Sequence, residues 1–175
     1  MNKIQILSKQ FRYVFQIIFY LLPVLNAIYW VAITDSNINQ LSFSSMPFDQ
    51  VVLTPISRLL SCMLTAIPIS LLMFIFYQLA CIFKNYSHKI IFCLENAKRY
   101  KRVGIALFIL AFANFLTDAL LSIVLSYQSM PGERVISIGI GAAQIYPVIF
   151  GLAIYIISFI MEEAHRIEED HKYTI

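Results

Sequence analysis

Four long stretches of this 175-residue chain are almost free of charge, and short polar segments separate them. Residues 14–33, 59–83 and 138–161 carry no charged side chain, and residues 103–127 carry one, Asp118. Each stretch is long enough to cross the hydrocarbon layer as a helix, which takes about 20 mostly apolar residues. The pattern predicts an all-α integral membrane protein: an antiparallel bundle of four spanning helices, forming one transmembrane domain over residues 1–175. The first span follows a basic start, as a signal peptide would. Its apolar run is too long for one, and no small-x-small site closes it before Asp35, so it reads as a retained helix.

Composition turns that pattern into an exclusion. Hydrophobic residues make up 59% of the chain and charged residues 13%, against about 45–50% and about 25% in an ordinary soluble domain. A soluble globular enzyme is therefore excluded, since a core this small could not hide so much apolar surface. A disordered chain and a disulfide-stapled scaffold are excluded too, and Cys62, Cys81 and Cys93 read as separate buried thiols. Of the 13 Lys and Arg residues, 11 fall in the N-terminal segment, the second loop and the C-terminal tail; only Arg58 and Arg134 lie in the other two loops. Basic residues collect on the cytoplasmic side of short loops, so the expected location is the cytoplasmic (inner) membrane with both termini cytoplasmic. The net charge of +3 then reflects topology, and no direct contact with nucleic acid is expected.

The segments between the spans differ in what they say. The first loop, residues 34–58, reads as a solvated connector or, alternatively, as a small interfacial turn with Phe43 and Phe48 as anchors. In the third loop Pro131-Gly132 signals a turn that makes the last two spans tightly packed antiparallel neighbours. The second loop is the most informative. Ile90, Ile91, Leu94 and Ala97 recur at helical spacing, while Glu95, Asn96, Lys98, Arg99, Lys101 and Arg102 fill the other positions. This predicts a short cytoplasmic interfacial helix running into the third span. Its basic run can meet anionic headgroups of the lipid bilayer or an acidic cytoplasmic protein partner.

The same segment carries a resemblance. Ile91-Phe92-Cys93-Leu94-Glu95-Asn96, the basic stretch Lys98 to Arg102, Val103-Gly104 at the start of the third span, and the acidic tail ending Thr174-Ile175 together resemble a family of small bacterial four-helix membrane proteins of unknown function. Members carry an Ile-Phe-Ser-x-Glu-Asn motif, a basic stretch and an Ile-Gly opening the third span. Cys93 stands where the family usually has Ser or Thr, so a weaker sulfur acceptor replaces the oxygen that would cap the helix. The resemblance implies an architecture and a membrane setting but no reaction. Some members are encoded beside small helix-turn-helix regulators, which implies the membrane half of a regulatory pair.

Within the spans, polar residues need partners, because burying them in hydrocarbon costs several kcal/mol. Counting about 1.5 Å per residue from the cytoplasmic ends puts Asn26 near 18 Å, Asp118 near 22 Å and Gln144 near 26 Å. Asn114 and Thr117 flank Asp118 on its helix. The expectation is that Asn26, Asn114, Thr117, Asp118 and Gln144 converge inside the bundle, either as interhelical hydrogen bonds or around a cavity open to the outside. Gly139, Ala143, Pro147 and Gly151 recur every four residues in the fourth span. Such a small-residue face packs closely on another helix, in this chain or in a homodimer.

No catalytic constellation is present. An intramembrane aspartyl protease needs two carboxylates, and a Ser or Cys nucleophile needs a base, yet His88, His165 and His171 all lie outside the spans. Glu162, His165 and Glu169 share a helical face, but one such copy on an acidic helix is a solvated end and no metal site. No cofactor is implied. The expectation is a non-enzymatic regulatory or sensing protein that acts through partner contacts, and the alternative is a small homodimeric transporter or channel using Asp118.

Overall fold

A computed structural model describes residues 3–33, 54–127 and 139–173. It contains four helices: α1 (Lys3–Ala32), α2 (Pro55–Ser87), α3 (Leu94–Ser126) and α4 (Ala142–Tyr173). All four are long and apolar enough to cross a membrane. Lipid offers no hydrogen bonds to the backbone, and a helix satisfies its own N–H and C=O groups, so the charge-poor stretches have little choice of structure. Each helix is longer than its apolar run, and at the end holding the α2–α3 turn each extends beyond that run. The helices continue through Pro23, Pro68 and Pro147. The first-loop anchors Phe43 and Phe48 and the Pro131-Gly132 turn lie outside the described residues.

The fold is an all-α four-helix membrane protein, with antiparallel neighbours packed in chain order. α1 packs on α2, α2 on α3, and α3 on α4; among the described residues α1 and α4 do not touch. We call the end holding the α2–α3 turn the basic end, and the other the far end.

Side-chain size decides how each pair packs. Between α1 and α2 the basic half is filled by aromatic rings: Phe11 and Phe15 each lie 5.4 Å from Phe83, and Phe15 lies 5.9 Å from Phe76. Such pairs contribute about 0.5–1.5 kcal/mol beyond the area they bury. α2 and α3 meet through Ile75, Val103, Ala106 and Leu110. Toward the far end Trp30 and Ile33 reach from α1 to Leu121 and Leu125 of α3, with Cys62 and Leu64 of α2 packed against them. A close backbone approach joins α3 and α4. A Cβ added to Gly104 would lie 3.1 Å from the Gly151 carbonyl oxygen, and one added to Gly151 would lie 3.1 Å from that of Gly104.

The ends follow local chemistry. α2 starts with Thr54, whose hydroxyl accepts the Ser57 N–H at 3.3 Å, and Pro55 takes the first helical position, where no N–H is needed. Ser61, one turn later, is wholly buried, and its hydroxyl has no partner among the described residues. An orphaned buried hydroxyl costs roughly 1–3 kcal/mol. Ser61→Ala is therefore expected to leave thermal stability in detergent unchanged or raise it by about 1 kcal/mol. A clear loss of stability would show that the hydroxyl does have a partner.

The fourth helix begins later than the charge-free run suggests. Residues 139–141 are not helical, and α4 opens at Ala142. Gln144, three residues past Gly141, turns its side-chain oxygen back to accept the Gly141 N–H at 2.9 Å, half of a capping box. Gly139 thus falls outside the helix, with open space around it, and the small-residue face is reduced to Ala143, Pro147 and Gly151.

Candidate functional site

Two polar assemblies sit in the far half. On α3, Asn114 and Asp118 are one turn apart and both face the start of α4. Asn114 Nδ2 donates to the Ala143 carbonyl at 2.9 Å, and Gln144 Nε2 donates to Asp118 Oδ2 at 2.6 Å. Because the Gln144 oxygen already accepts from Gly141, its amide nitrogen is the end that must face Asp118. The side chain that starts α4 therefore also fixes the carboxylate.

The second assembly joins α1 to α2. Asn26 Nδ2 donates to the Cys62 carbonyl at 3.3 Å, its Oδ1 accepts from the Thr65 hydroxyl at 2.9 Å, and that hydroxyl accepts from Trp30 Nε1 at 2.9 Å. Asn26 does not hydrogen-bond to the Asp118 group, so the expected single cluster is two. The reason is local: Thr65 and the Cys62 carbonyl, on the helix next to α1, satisfy the amide before it could reach α3. Thr65 and Trp30 were not anticipated, although Trp30 lies one turn from Asn26 on the same face.

What unites the assemblies is the space between them. Asn26 and Thr65 on one side and Asn114, Thr117 and Asp118 on the other line one cavity of about 690 Å3. Its wall is otherwise mostly apolar and includes Trp30, and Ala143 of α4 also lines it. Thr117 is buried and belongs to this wall, while Gln144 stands behind Asp118.

At the basic end the structure corrects the reading of the second loop. α3 begins at Leu94 and runs unbroken into the span, and Ile90 and Ile91 precede it in a turn where Lys89 adopts φ 65°. Asn96 is 0% exposed. Its Nδ2 donates to the carbonyls of Ile90 and Ile91, both at 3.0 Å, and its Oδ1 accepts from Asn85 Nδ2 at 2.7 Å. Both its amide protons and its oxygen are engaged inside the turn, and it is wholly buried, so it cannot serve as a docking residue. Arg99 is likewise turned inward: its guanidinium donates to Gln78 Oε1 of α2 at 3.0 Å and pairs with Glu95 at 2.6 Å. Gln78, a polar residue inside the second span, was a visible signal for such a partner. Lys98, Lys101 and Arg102 remain exposed, with the Lys101 ammonium 5.9 Å from the Phe159 ring on α4.

The tail of α4 returns to this turn. His165 Nδ1 lies 3.2 Å from the Phe92 carbonyl, which can only accept, so the proton of that bond sits on Nδ1. The other ring nitrogen lies 3.5 Å from Glu169. This His–Glu pair thus belongs to the contact between the tail and the turn.

The residues that carry the family resemblance now have physical roles. Cys93 is the α3 N-cap, its sulfur accepting the Asn96 N–H at 3.4 Å. Glu95 pairs with Arg99, Asn96 closes the turn, and Gly104 permits the approach to Gly151. The motif describes how α2, α3 and α4 are held together.

No curated protein and no solved structure matches the chain. Residues 30–175 match a family described as a protein of unknown function, DUF2975. The match runs from Trp30, well upstream of the motif, through all of α2, α3 and α4. The cap, the buried Asn96 turn, the packing glycine and the α2, α3 and α4 residues of the far-half cavity thus lie within the matched region, while Asn26 precedes it, and the chain is a member of the DUF2975 family.

Proposed function

We propose that this protein is a non-enzymatic sensing or regulatory component of the cytoplasmic membrane, with both termini and the basic end cytoplasmic, acting through contacts with an acidic protein partner. The observation that carries this reading is the α3–α4 pair. It joins the cavity to the basic end without a break: Asp118 to Gln144 at one end, Gly104 against Gly151 between, and Phe92 to His165 at the other. Packed helices move as rigid elements, so a change at the cavity that shifts one helix against the other displaces Lys98, Lys101 and Arg102 relative to the tail. Those three cations and Glu162 and Glu163 of α4 are exposed, and Lys101 lies over the Phe159 ring of α4, so the charge arrangement of this surface depends on how the two helices sit.

Charge reversal of Lys98, Lys101 and Arg102 to Glu tests this, leaving Arg99 in place because it is needed between α2 and α3. An acidic protein that co-purifies with the native chain in mild detergent is expected to be lost from the triple variant, while a reporter on the C-terminus shows unchanged topology. Undiminished co-purification would mean that the basic run only anchors the helix to anionic headgroups. A homodimeric transporter or channel is the second reading, favoured by the position of Asp118 in the cavity wall. Ion- or proton-dependent flux in vesicles, abolished by Asp118→Asn but untouched by the triple variant, would move the assignment there.

A further inference from the structure

We propose that the far-half cavity binds a lipophilic cation: a positively charged, ammonium-like centre carried on a compact apolar body. This deepens the sensing reading and rests on its premise that the signal enters through this cavity.

Three features select that chemistry. The first is size. About 690 Å3 falls within the roughly 300–1,000 Å3 of small-molecule sites. The second is the wall, where Leu25, Ile69, Leu72 and Leu121 provide apolar surface and Trp30 and Tyr29 provide aromatic surface, which attracts cations as well as apolar groups. The third is charge. Asp118 is the one charged residue in the four apolar stretches, and no Lys, Arg or His is among the described residues of the wall. Gln144 presents only an N–H to the carboxylate, an arrangement that suits an anion, and leaves Oδ1 for another partner.

Other occupants fit less well. A bare divalent cation such as calcium seeks six to eight oxygen ligands, and one carboxylate with neighbouring amides and a hydroxyl falls short. An acyl chain would use the apolar wall but leave the carboxylate without a counter-charge. An anion would meet Asp118 directly.

Trp30 is the single tryptophan of the chain and lines the cavity, so its fluorescence reports occupancy. The test titrates the full chain in detergent with tetraphenylphosphonium and with tetraphenylborate, ions of the same shape and opposite charge, for wild type and Asp118→Asn. In wild type, phosphonium should give a saturable change at least tenfold tighter than borate. In Asp118→Asn that preference should vanish, with phosphonium affinity falling at least tenfold. Equal saturable binding of both ions in wild type would overturn the cation proposal while leaving a ligand cavity. No saturable response to either would overturn the cavity as a ligand site. The comparison of the two ions on the unaltered chain needs no variant, so the proposal stays open to refutation even if Asp118→Asn fails to fold. Partner release by the triple charge reversal is read separately and decides the sensing premise.

Discussion

Replacing Asn96 by aspartate, a change of one atom group with no change of shape, is expected to cost on the order of 3 kcal/mol or more of stability. The buried amide donates to two carbonyls and accepts from Asn85. Aspartate keeps the acceptor but loses both donors, and it turns a carboxylate toward the Ile90 and Ile91 oxygens at full burial. Each stranded carbonyl costs about 1–3 kcal/mol, and the buried charge adds to that. Asn96→Ala strands the same carbonyls without adding a charge, so aspartate should be at least as damaging as alanine. Thermal unfolding in detergent measures both variants, with proteolysis near Lys89 as a local readout. A stable Asn96→Asp protein would show that the turn is held by something else.

Gly104→Ala should also destabilise, against the direction that helix propensity sets. Alanine in a helix interior is favoured over glycine by about 1 kcal/mol. Here its Cβ would lie 3.0 Å from Tyr155 Cβ and 3.1 Å from both Tyr155 Cα and the Gly151 carbonyl oxygen. These are backbone and first side-chain atoms, which cannot rotate away, so α4 must move off α3. Overpacking of this kind costs roughly 1–3 kcal/mol and outweighs the propensity gain. Gly104→Leu should separate the pair altogether, and a cysteine cross-link between α3 and α4 that forms in wild type should then fail. Higher stability of Gly104→Ala would mean that the two helices do not approach this closely.

Much of this was legible in the order of residues, and its limits follow from geometry. Charge-free length placed four helices because lipid leaves the backbone one economical structure. Depth along a helix, counted from the basic residues, brought Asp118 and Gln144 to neighbouring levels, and they do meet. Depth says nothing about rotation around the helix axis, which is why Asn26 could be put at the right height but with the wrong partners. Asn96 was read as part of a solvated face because charged residues surround it in sequence. Its burial depends on the chain folding back through a left-handed Lys89, which no local pattern announces. Gly151 was legible as a packing residue, but its partner Gly104 belonged to a different pattern, the start of the third span. Gly139 matched the small-residue spacing and yet precedes the helix, since the apolar run does not mark where helical hydrogen bonding starts.

The absence of contact between α1 and α4 among the described residues bears on how the molecule is made. Apart from the far-end contact of Trp30 and Ile33 with Leu121 and Leu125 of α3, each helix rests on the one before it and the one after it, so each is free to dock as it enters the bilayer. A closed ring would force the first helix to wait, half-covered, for the last. Here the main contacts join successive helices, so they are short-range in sequence and entropically cheap to close. The order of synthesis is also the order of packing.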